Sequence, residues 1–79
     1  MVICIIGLGY VGLPLSLAFS NKNIEVIGYD NSLKRVNELK KYVDINREYS
    51  QSKLLGLKNI GFTSKVTDIA KANVYNNCP

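Results

Sequence analysis

Apolar residues along this chain alternate between short continuous runs and helical repeats. The run VICII at residues 2–6 is rich in β-branched side chains and ends at Gly7, which is typical of a parallel strand buried on both faces. Residues 10–20 then carry apolar side chains at helical spacing. After a polar turn, IEVIGY at residues 24–29 predicts a second strand that ends at Asp30.

The same alternation continues in the second half of the chain with shorter elements. Ser32 can cap a second helix, whose apolar and basic residues fall on opposite faces. The pattern weakens over residues 43–57, where only a short helical turn near Leu54 and Leu55 is predicted. A brief third strand follows at residues 60–62, a short helix begins at Ser64, and ANVY at residues 72–75 begins a fourth strand.

Strands that alternate with helices predict an α/β fold with a parallel sheet and right-handed crossovers. The natural arrangement is a Rossmann-type sheet with strand order 3-2-1-4, which is the first half of a doubly wound fold. Ligands bind such sheets beyond the carboxyl ends of the strands, where the strand order reverses. We therefore expect residues 1–79 to form one partial, truncated dinucleotide-binding domain of marginal stability.

The composition narrows the classes of partner. The chain has 79 residues, 47% of them hydrophobic, and a net charge of +4. Its ten basic residues are scattered along the sequence, which favours solvated helix faces over a nucleic-acid interface. No apolar run approaches the roughly 20 residues of a membrane span, and no secretory signal is recognisable. These features predict a cytoplasmic protein.

Metal and disulfide chemistry are not indicated. The chain contains no histidine and no Cys-x-x-Cys pair, so a metal site is not expected. Cys4 falls in an apolar strand, where cysteine behaves as a small hydrophobic residue. Cys78 lies near the other end of the sequence. We interpret the two as unrelated free thiols.

Three glycines connect the first strand to the first helix. Gly7, Gly9 and Gly12 satisfy G-x-G-x-x-G between a predicted strand and a predicted helix, the context that makes this short pattern informative. Gly7 would permit the tight turn, Gly9 would let the backbone approach a pyrophosphate, and Gly12 would let the helix pack closely. The helix N-terminus would then attract the pyrophosphate.

Two charged residues near the end of the second strand extend this interpretation. Asp30 follows Gly12 by 18 residues, close to the spacing of the acid that accepts hydrogen bonds from the adenosine ribose. A carboxylate there repels a 2′-phosphate and so favours NAD over NADP. Arg35 could reach the adenine or the ribose, or partly accommodate a 2′-phosphate. The alternatives are an acid in a strand-terminal turn and a solvated arginine.

Pro14 is unusual at the start of such a helix, and it belongs to a wider resemblance. The segments IGLGYVGLPLSLAF, VIGYD and KRVNELK resemble the start of the UDP-glucose/GDP-mannose dehydrogenase family. VDINREYSQSKL and NIGFTS are most similar to its UDP-N-acetylhexosamine 6-dehydrogenases, which make uronic acids for bacterial capsules and O-antigens. Seven positions match the NAD contacts that the resemblance implies: Gly7, Gly9, Tyr10, Val11, Gly12, Asp30 and Arg35.

The resemblance also implies a reaction for the full-length protein. Members oxidise the C6 alcohol of a nucleotide sugar, here a UDP-sugar, to a carboxylate with two NAD, without a metal and through a catalytic cysteine. We expect that cysteine to lie outside this chain, which is then inactive alone and has no catalytic residue. Cys78 is not that nucleophile, since no histidine is available as its base. The full-length protein is expected to be a homo-oligomer.

Two other interpretations remain open from the residues. One is an NAD-sensing regulatory module, which uses the same strand, glycine loop and acid without catalysis. The other is a different NAD-dependent dehydrogenase, such as the β-hydroxyacid type. Pro14, Tyr10 and the FTS segment at residues 62–64 favour the nucleotide-sugar dehydrogenases.

Overall fold

Strands and helices alternate along the chain in a computed structural model that describes residues 1–9, 11–41 and 59–78. The elements in order are β1 (Val2–Ile6), α1 (Gly12–Asn21), β2 (Glu25–Tyr29), α2 (Leu33–Lys40), β3 (Ile60–Thr63), a 3₁₀ helix (Val66–Lys71) and β4 (Val74–Asn77). The helical turn predicted near Leu54 and Leu55 lies outside the described residues. No helix in the described part of the chain is long and apolar enough to cross a membrane.

The four strands form one parallel sheet in the order β3-β2-β1-β4, which confirms the predicted Rossmann-type topology. Ile3 lies opposite Val26 of β2 on one side and Val74 of β4 on the other. The order reverses at β1, because its next strand in sequence lies on one side and the last strand on the other. The carboxyl ends of β1 and β4 therefore mark the predicted ligand edge.

The hydrophobic core lies between one face of the sheet and the helices. Successive side chains of a strand point to opposite faces, so Ile3 and Ile5 of β1 face the same way as Val26 of β2. Leu13 and Leu17 of α1 pack against this face. The full cluster of buried residues comprises Ile3, Ile5, Leu8, Leu13, Leu17, Val26 and Leu39. Burial of each such side chain contributes about 1.5–3 kcal/mol.

The first helix begins at Gly12, whereas the pattern predicts a start at residue 10 or 11. Val11 occupies the N-cap position and supplies no side-chain hydrogen bond. Pro14 is therefore the third helical residue, inside the first turn, where a missing N–H costs little. The chain accommodates the proline in this way without a break, and the Leu15 N–H donates to the carbonyl of Val11 at 3.2 Å.

The second helix has the predicted N-cap. The Ser32 hydroxyl accepts a hydrogen bond from the Arg35 N–H at 3.2 Å, and the Ser32 carbonyl accepts from the Val36 N–H at 3.1 Å. Val36 and Leu39 are buried, whereas Lys34 and Lys40 are exposed. This amphipathic packing fixes the position of Arg35 on the helix.

The fourth strand begins at Val74, not at residue 72, and it includes Asn76 and Asn77. Asparagine is a poor strand former, but the ladder with β1 overrides that preference. It is anchored by the Asn73 side chain, which accepts from the Val2 N–H at 2.8 Å. At the other end the Cys78 N–H donates to the carbonyl of Ile6 at 2.8 Å. All four residues of β4 are exposed, which fits a strand at the edge of the described sheet.

The segment after β3 also differs from the prediction. It is a 3₁₀ helix with Lys65 at the N-cap position, not a helix that begins at Ser64. Thr63 explains the shift, because its hydroxyl accepts from the Lys65 N–H at 3.1 Å and donates to the Asp68 carboxylate at 2.6 Å. A buried threonine side chain thus organises this turn.

Candidate functional site

Gly7 makes the turn that leaves the first strand. Its φ is +99°, a conformation that L side chains avoid. A Cβ at this position would lie 2.7 Å from the carbonyl oxygen of Cys78. The Gly7 N–H continues the sheet ladder by donating to the carbonyl of Tyr29 at 2.8 Å. Both the tight turn and the close approach of Cys78 therefore require glycine here.

Gly12 begins α1 directly against this turn. A Cβ on Gly12 would lie 1.5 Å from the carbonyl oxygen of Gly7, well inside any allowed contact. The close packing predicted for this glycine is therefore present, and the surface it packs against is the Gly7 peptide at the end of β1.

Gly9 differs from the other two glycines. A Cβ built on Gly9 meets no atom within 4 Å, and its φ lies outside the left-handed region. The chain itself therefore does not require glycine at this position. Free space over a backbone at a helix N-terminus is what the close approach of an anionic ligand needs.

Asp30 lies at the carboxyl end of β2 and contacts the glycine loop. Its Oδ2 accepts a hydrogen bond from the Leu8 N–H at 2.9 Å, and its Oδ1 accepts from the Ser32 N–H at 2.9 Å. The carboxylate is half-buried. It therefore lies beside the loop, as expected of the acid in this motif.

Arg35 approaches the same loop residue from α2. Its Nε donates to the carbonyl oxygen of Leu8 at 2.7 Å. The N–H and the C=O of Leu8 are thus both hydrogen-bonded to side chains that the sequence predicts to contact a ligand. Leu8 was not among the predicted site residues. The one sequence feature that could have indicated its role is an apolar residue between two loop glycines. In the structure, the side chain of Leu8 is fully buried in the core.

An open cleft of about 270 Å³ lies at the predicted edge of the sheet, at the ends of β1, β2 and β4. Its lining residues are Ile6, Gly7, Tyr29, Asp30, Asn31, Asn77 and Cys78. A larger open hollow of about 610 Å³ lies against β2 and β3, between Asn23 and Lys71. We assign the site to the smaller cleft, because the larger hollow includes neither the glycine loop nor Asp30.

Val11, another of the predicted contacts, lies at the start of α1. Val11 is half exposed at the N-cap position, next to the open space over Gly9. Tyr10 lies outside the described residues. The structure thus brings Gly7, Gly9, Gly12, Asp30 and Arg35 together around one loop, with Val11 at its end.

The two cysteines occupy different environments, and both are free. Cys4 is fully buried in β1, and this burial raises the pKa of its thiol. Cys78 is half-buried and follows β4 at the cleft, with its Cβ 3.4 Å from the position of a Cβ on Gly12. Cys78 therefore packs against the loop as part of its wall.

Comparisons with known proteins show the family to which the chain belongs. Residues 1–76 match the sequence model for the NAD-binding domain of the UDP-glucose/GDP-mannose dehydrogenase family. The chain is 45% identical over 73 residues to a UDP-N-acetyl-D-glucosamine 6-dehydrogenase of Salmonella typhi, covering 92% of this chain and 17% of that protein. It is 44% identical over 71 residues to protein CapL of Staphylococcus aureus, covering 90% and 16%.

Solved structures show the same fold. A ternary complex of GDP-mannose dehydrogenase from Pseudomonas aeruginosa superposes with a TM-score of 0.88 at 25% identity, over 100% of this chain and 19% of that one. A UDP-D-ManNAc dehydrogenase from Pyrococcus horikoshii gives a TM-score of 0.81 at 27% identity, over 99% and 20%. The chain thus spans about a fifth of the length of these relatives. It belongs to the UDP-glucose/GDP-mannose dehydrogenase family and corresponds to that family's NAD-binding domain.

Proposed function

We propose that this chain is the cofactor-binding part of an NAD-dependent nucleotide-sugar 6-dehydrogenase. The full-length protein would oxidise the C6 alcohol of a UDP-sugar to a carboxylate with two NAD. The glycine loop carries this proposal, because backbone closes around Gly7 and Gly12 while the space over Gly9 stays open. The relatives support the class of reaction. The Salmonella typhi, Pyrococcus horikoshii and Pseudomonas aeruginosa proteins described above are all named as nucleotide-sugar dehydrogenases.

The described residues fit NAD by their chemistry. The N-terminus of α1, next to Gly9, offers N–H groups and the positive end of a helix dipole to the pyrophosphate. Each Asp30 oxygen accepts one backbone N–H, and a carboxylate oxygen has a second acceptor site. Asp30 can therefore accept hydrogen bonds from the ribose hydroxyls without leaving the loop. Tyr10, Val11 and Arg35 complete the proposed contacts.

NAD, when bound, supplies the hydride acceptor. The chain's own residues bind and orient it, and we assign no proton transfer or covalent step to any of them. Binding of the UDP-sugar, homo-oligomer formation and a cytoplasmic location belong to this proposal for the full-length protein.

Alanine at Gly9 tests the site. Because a Cβ there meets no protein atom within 4 Å, Gly9→Ala should not lower the thermal midpoint. The added methyl group would occupy the space of the pyrophosphate, so we expect NAD affinity to fall at least tenfold, about 1.4 kcal/mol. Gly61→Ala is the matched control, because its Cβ also meets no atom within 4 Å and it lies in β3.

The measurement is an NMR titration of the 79-residue chain with NAD and with NADP, which detects the weak binding we expect of this chain alone. NAD should shift the resonances of the glycine loop in the wild type and in Gly61→Ala. NADP should bind more weakly, because the Asp30 carboxylate repels a 2′-phosphate. Equal NAD affinity in Gly9→Ala and the wild type would contradict the proposed site, as would a wild-type loop that does not respond to NAD.

A further inference from the structure

We propose that Arg35 is a positioning residue that aims the Gly9 N–H at the cofactor site. This deepens the proposed function and rests on it for the identity of the ligand. The observation behind it is the hydrogen bond from Arg35 Nε to the carbonyl of Leu8 at 2.7 Å. That carbonyl and the Gly9 N–H belong to the same peptide unit.

The geometry of the peptide links the two groups. A trans peptide is planar, and its C=O and N–H point in opposite directions. A side chain that holds the carbonyl of Leu8 therefore sets the direction of the Gly9 N–H, which points away from Arg35. The loop also contains two residues with wide backbone freedom, Gly7 and Gly9, so this peptide needs an external restraint.

The two preceding peptides are also held by hydrogen bonds. The Leu8 N–H donates to Asp30 Oδ2 at 2.9 Å, and the Gly7 N–H donates to the carbonyl of Tyr29 at 2.8 Å. The Asp30 carboxylate thus continues the ladder of β1 and β2 by one step beyond the strands. Arg35 holds the next peptide through the carbonyl of Leu8. Three consecutive peptides of the loop are therefore restrained by hydrogen bonds to Tyr29, Asp30 and Arg35.

The residues on both sides of the Arg35 hydrogen bond are themselves held in place. Ser32 caps α2 through the Arg35 N–H at 3.2 Å and donates its own N–H to Asp30 Oδ1 at 2.9 Å. The Leu8 side chain is fully buried, so the residue between the two restraints cannot rotate without leaving the core. A hydrogen bond with a charged partner is also stronger than a neutral one. These features distinguish a positioning contact from an arginine that merely lies near the ligand.

Two substitutions separate the hydrogen bond from the charge and the packing. Glutamine places its Nε2 at the same bond position as the Nε of arginine, so Arg35→Gln keeps a donor and loses the charge. Arg35→Met places a methyl group there and loses both. Glutamine and methionine have similar helix propensities, so α2 is equally stable in the two variants. Lys34→Met, on the exposed neighbouring position of α2, is the control for loss of a surface charge.

The first readout is the order parameter of the Gly9 N–H from ¹⁵N relaxation, measured without nucleotide. In the wild type, in Lys34→Met and in Arg35→Gln we expect values near the rigid range, about 0.85, and in Arg35→Met a fall below about 0.6. An unchanged order parameter in Arg35→Met would overturn the proposal. Equal disturbance in Arg35→Met and Arg35→Gln would also overturn it, because the charge and not the hydrogen bond would then hold the loop.

The second readout is the affinity for inorganic pyrophosphate, which has no adenosine for Arg35 to contact. We expect Arg35→Gln to bind it about fivefold more tightly than Arg35→Met, as the loss of one net hydrogen bond of about 1 kcal/mol implies. Equal affinities would contradict the positioning role. Failure of the wild type to bind NAD, with the difference in Gly9 order intact, would instead refute the proposed function alone.

Discussion

Alanine at Gly12 tests the contact between the first helix and the end of the first strand. The added Cβ would lie 1.5 Å from the Gly7 carbonyl oxygen and 2.7 Å from its carbon. Ordinary van der Waals contact begins near 3.4 Å, so α1 must shift by about 2 Å to relieve the clash, and shifts of this kind are costly in a close-packed core. Gly7 itself cannot give way easily, because its N–H is held by the carbonyl of Tyr29 at 2.8 Å.

The size of the expected loss in stability follows from the buried leucines of α1. Leu13 and Leu17 are 1% and 3% exposed and belong to the core cluster. A gap of 0.5–1 Å already forfeits roughly a quarter to a half of the dispersion well, and each buried leucine contributes about 1.5–3 kcal/mol. Losing about half of the contribution of two leucines lowers the free energy of unfolding by about 1.5–3 kcal/mol. The better helix propensity of alanine returns at most about 1 kcal/mol of this.

Urea unfolding followed by circular dichroism measures the effect, with Gly61→Ala as the control that adds a Cβ in open space. We expect a large fall in the midpoint for Gly12→Ala and no fall for the control. The two possible outcomes differ in sign. Without the clash, replacing glycine by alanine would stabilise the chain by about 0.4–1 kcal/mol, so an unchanged or raised midpoint would refute the reasoning.

Two further predictions concern α2 and the cysteines. Ser32→Ala removes the hydroxyl that accepts from the Arg35 N–H and should lower stability by about 1 kcal/mol in thermal unfolding. Ser64 caps no helix, so Ser64→Ala should leave stability unchanged. Equal effects of the two substitutions would contradict the capping role. Iodoacetamide labelling followed by mass spectrometry should modify Cys78 well before Cys4, because Cys4 is fully buried and burial raises the pKa of its thiol, which lowers the reactive thiolate fraction. Equal labelling rates in the folded protein would show that β1 opens readily.

The parts of the fold that follow from periodicity were predictable from the sequence. β1 matches the apolar run at residues 2–6, and the Ser32 cap and the strand order are as expected. β4 was misplaced at its start, because its position depends on pairing with β1 and on the Asn73 side chain. Local propensity does not contain that information.

The candidate site was likewise predictable only in part. Glycine spacing and the position of Asp30 were sufficient to locate the loop. The role of Leu8 was not predictable, because it depends on two hydrogen bonds from residues 22 and 27 positions away. Such contacts form only once β2 and α2 are placed beside β1.

The Asp30 carboxylate has a consequence for how cofactor preference can change. Under the proposed function, one side chain both discriminates between NAD and NADP and holds the Leu8 N–H. Replacing it with a small neutral residue to admit a 2′-phosphate would also release the loop that binds the pyrophosphate. A viable route to NADP use must therefore keep a neutral hydrogen-bond acceptor at position 30, such as an amide or hydroxyl oxygen, or supply one from elsewhere, so only a few residue types at this position are open to evolution and to engineering.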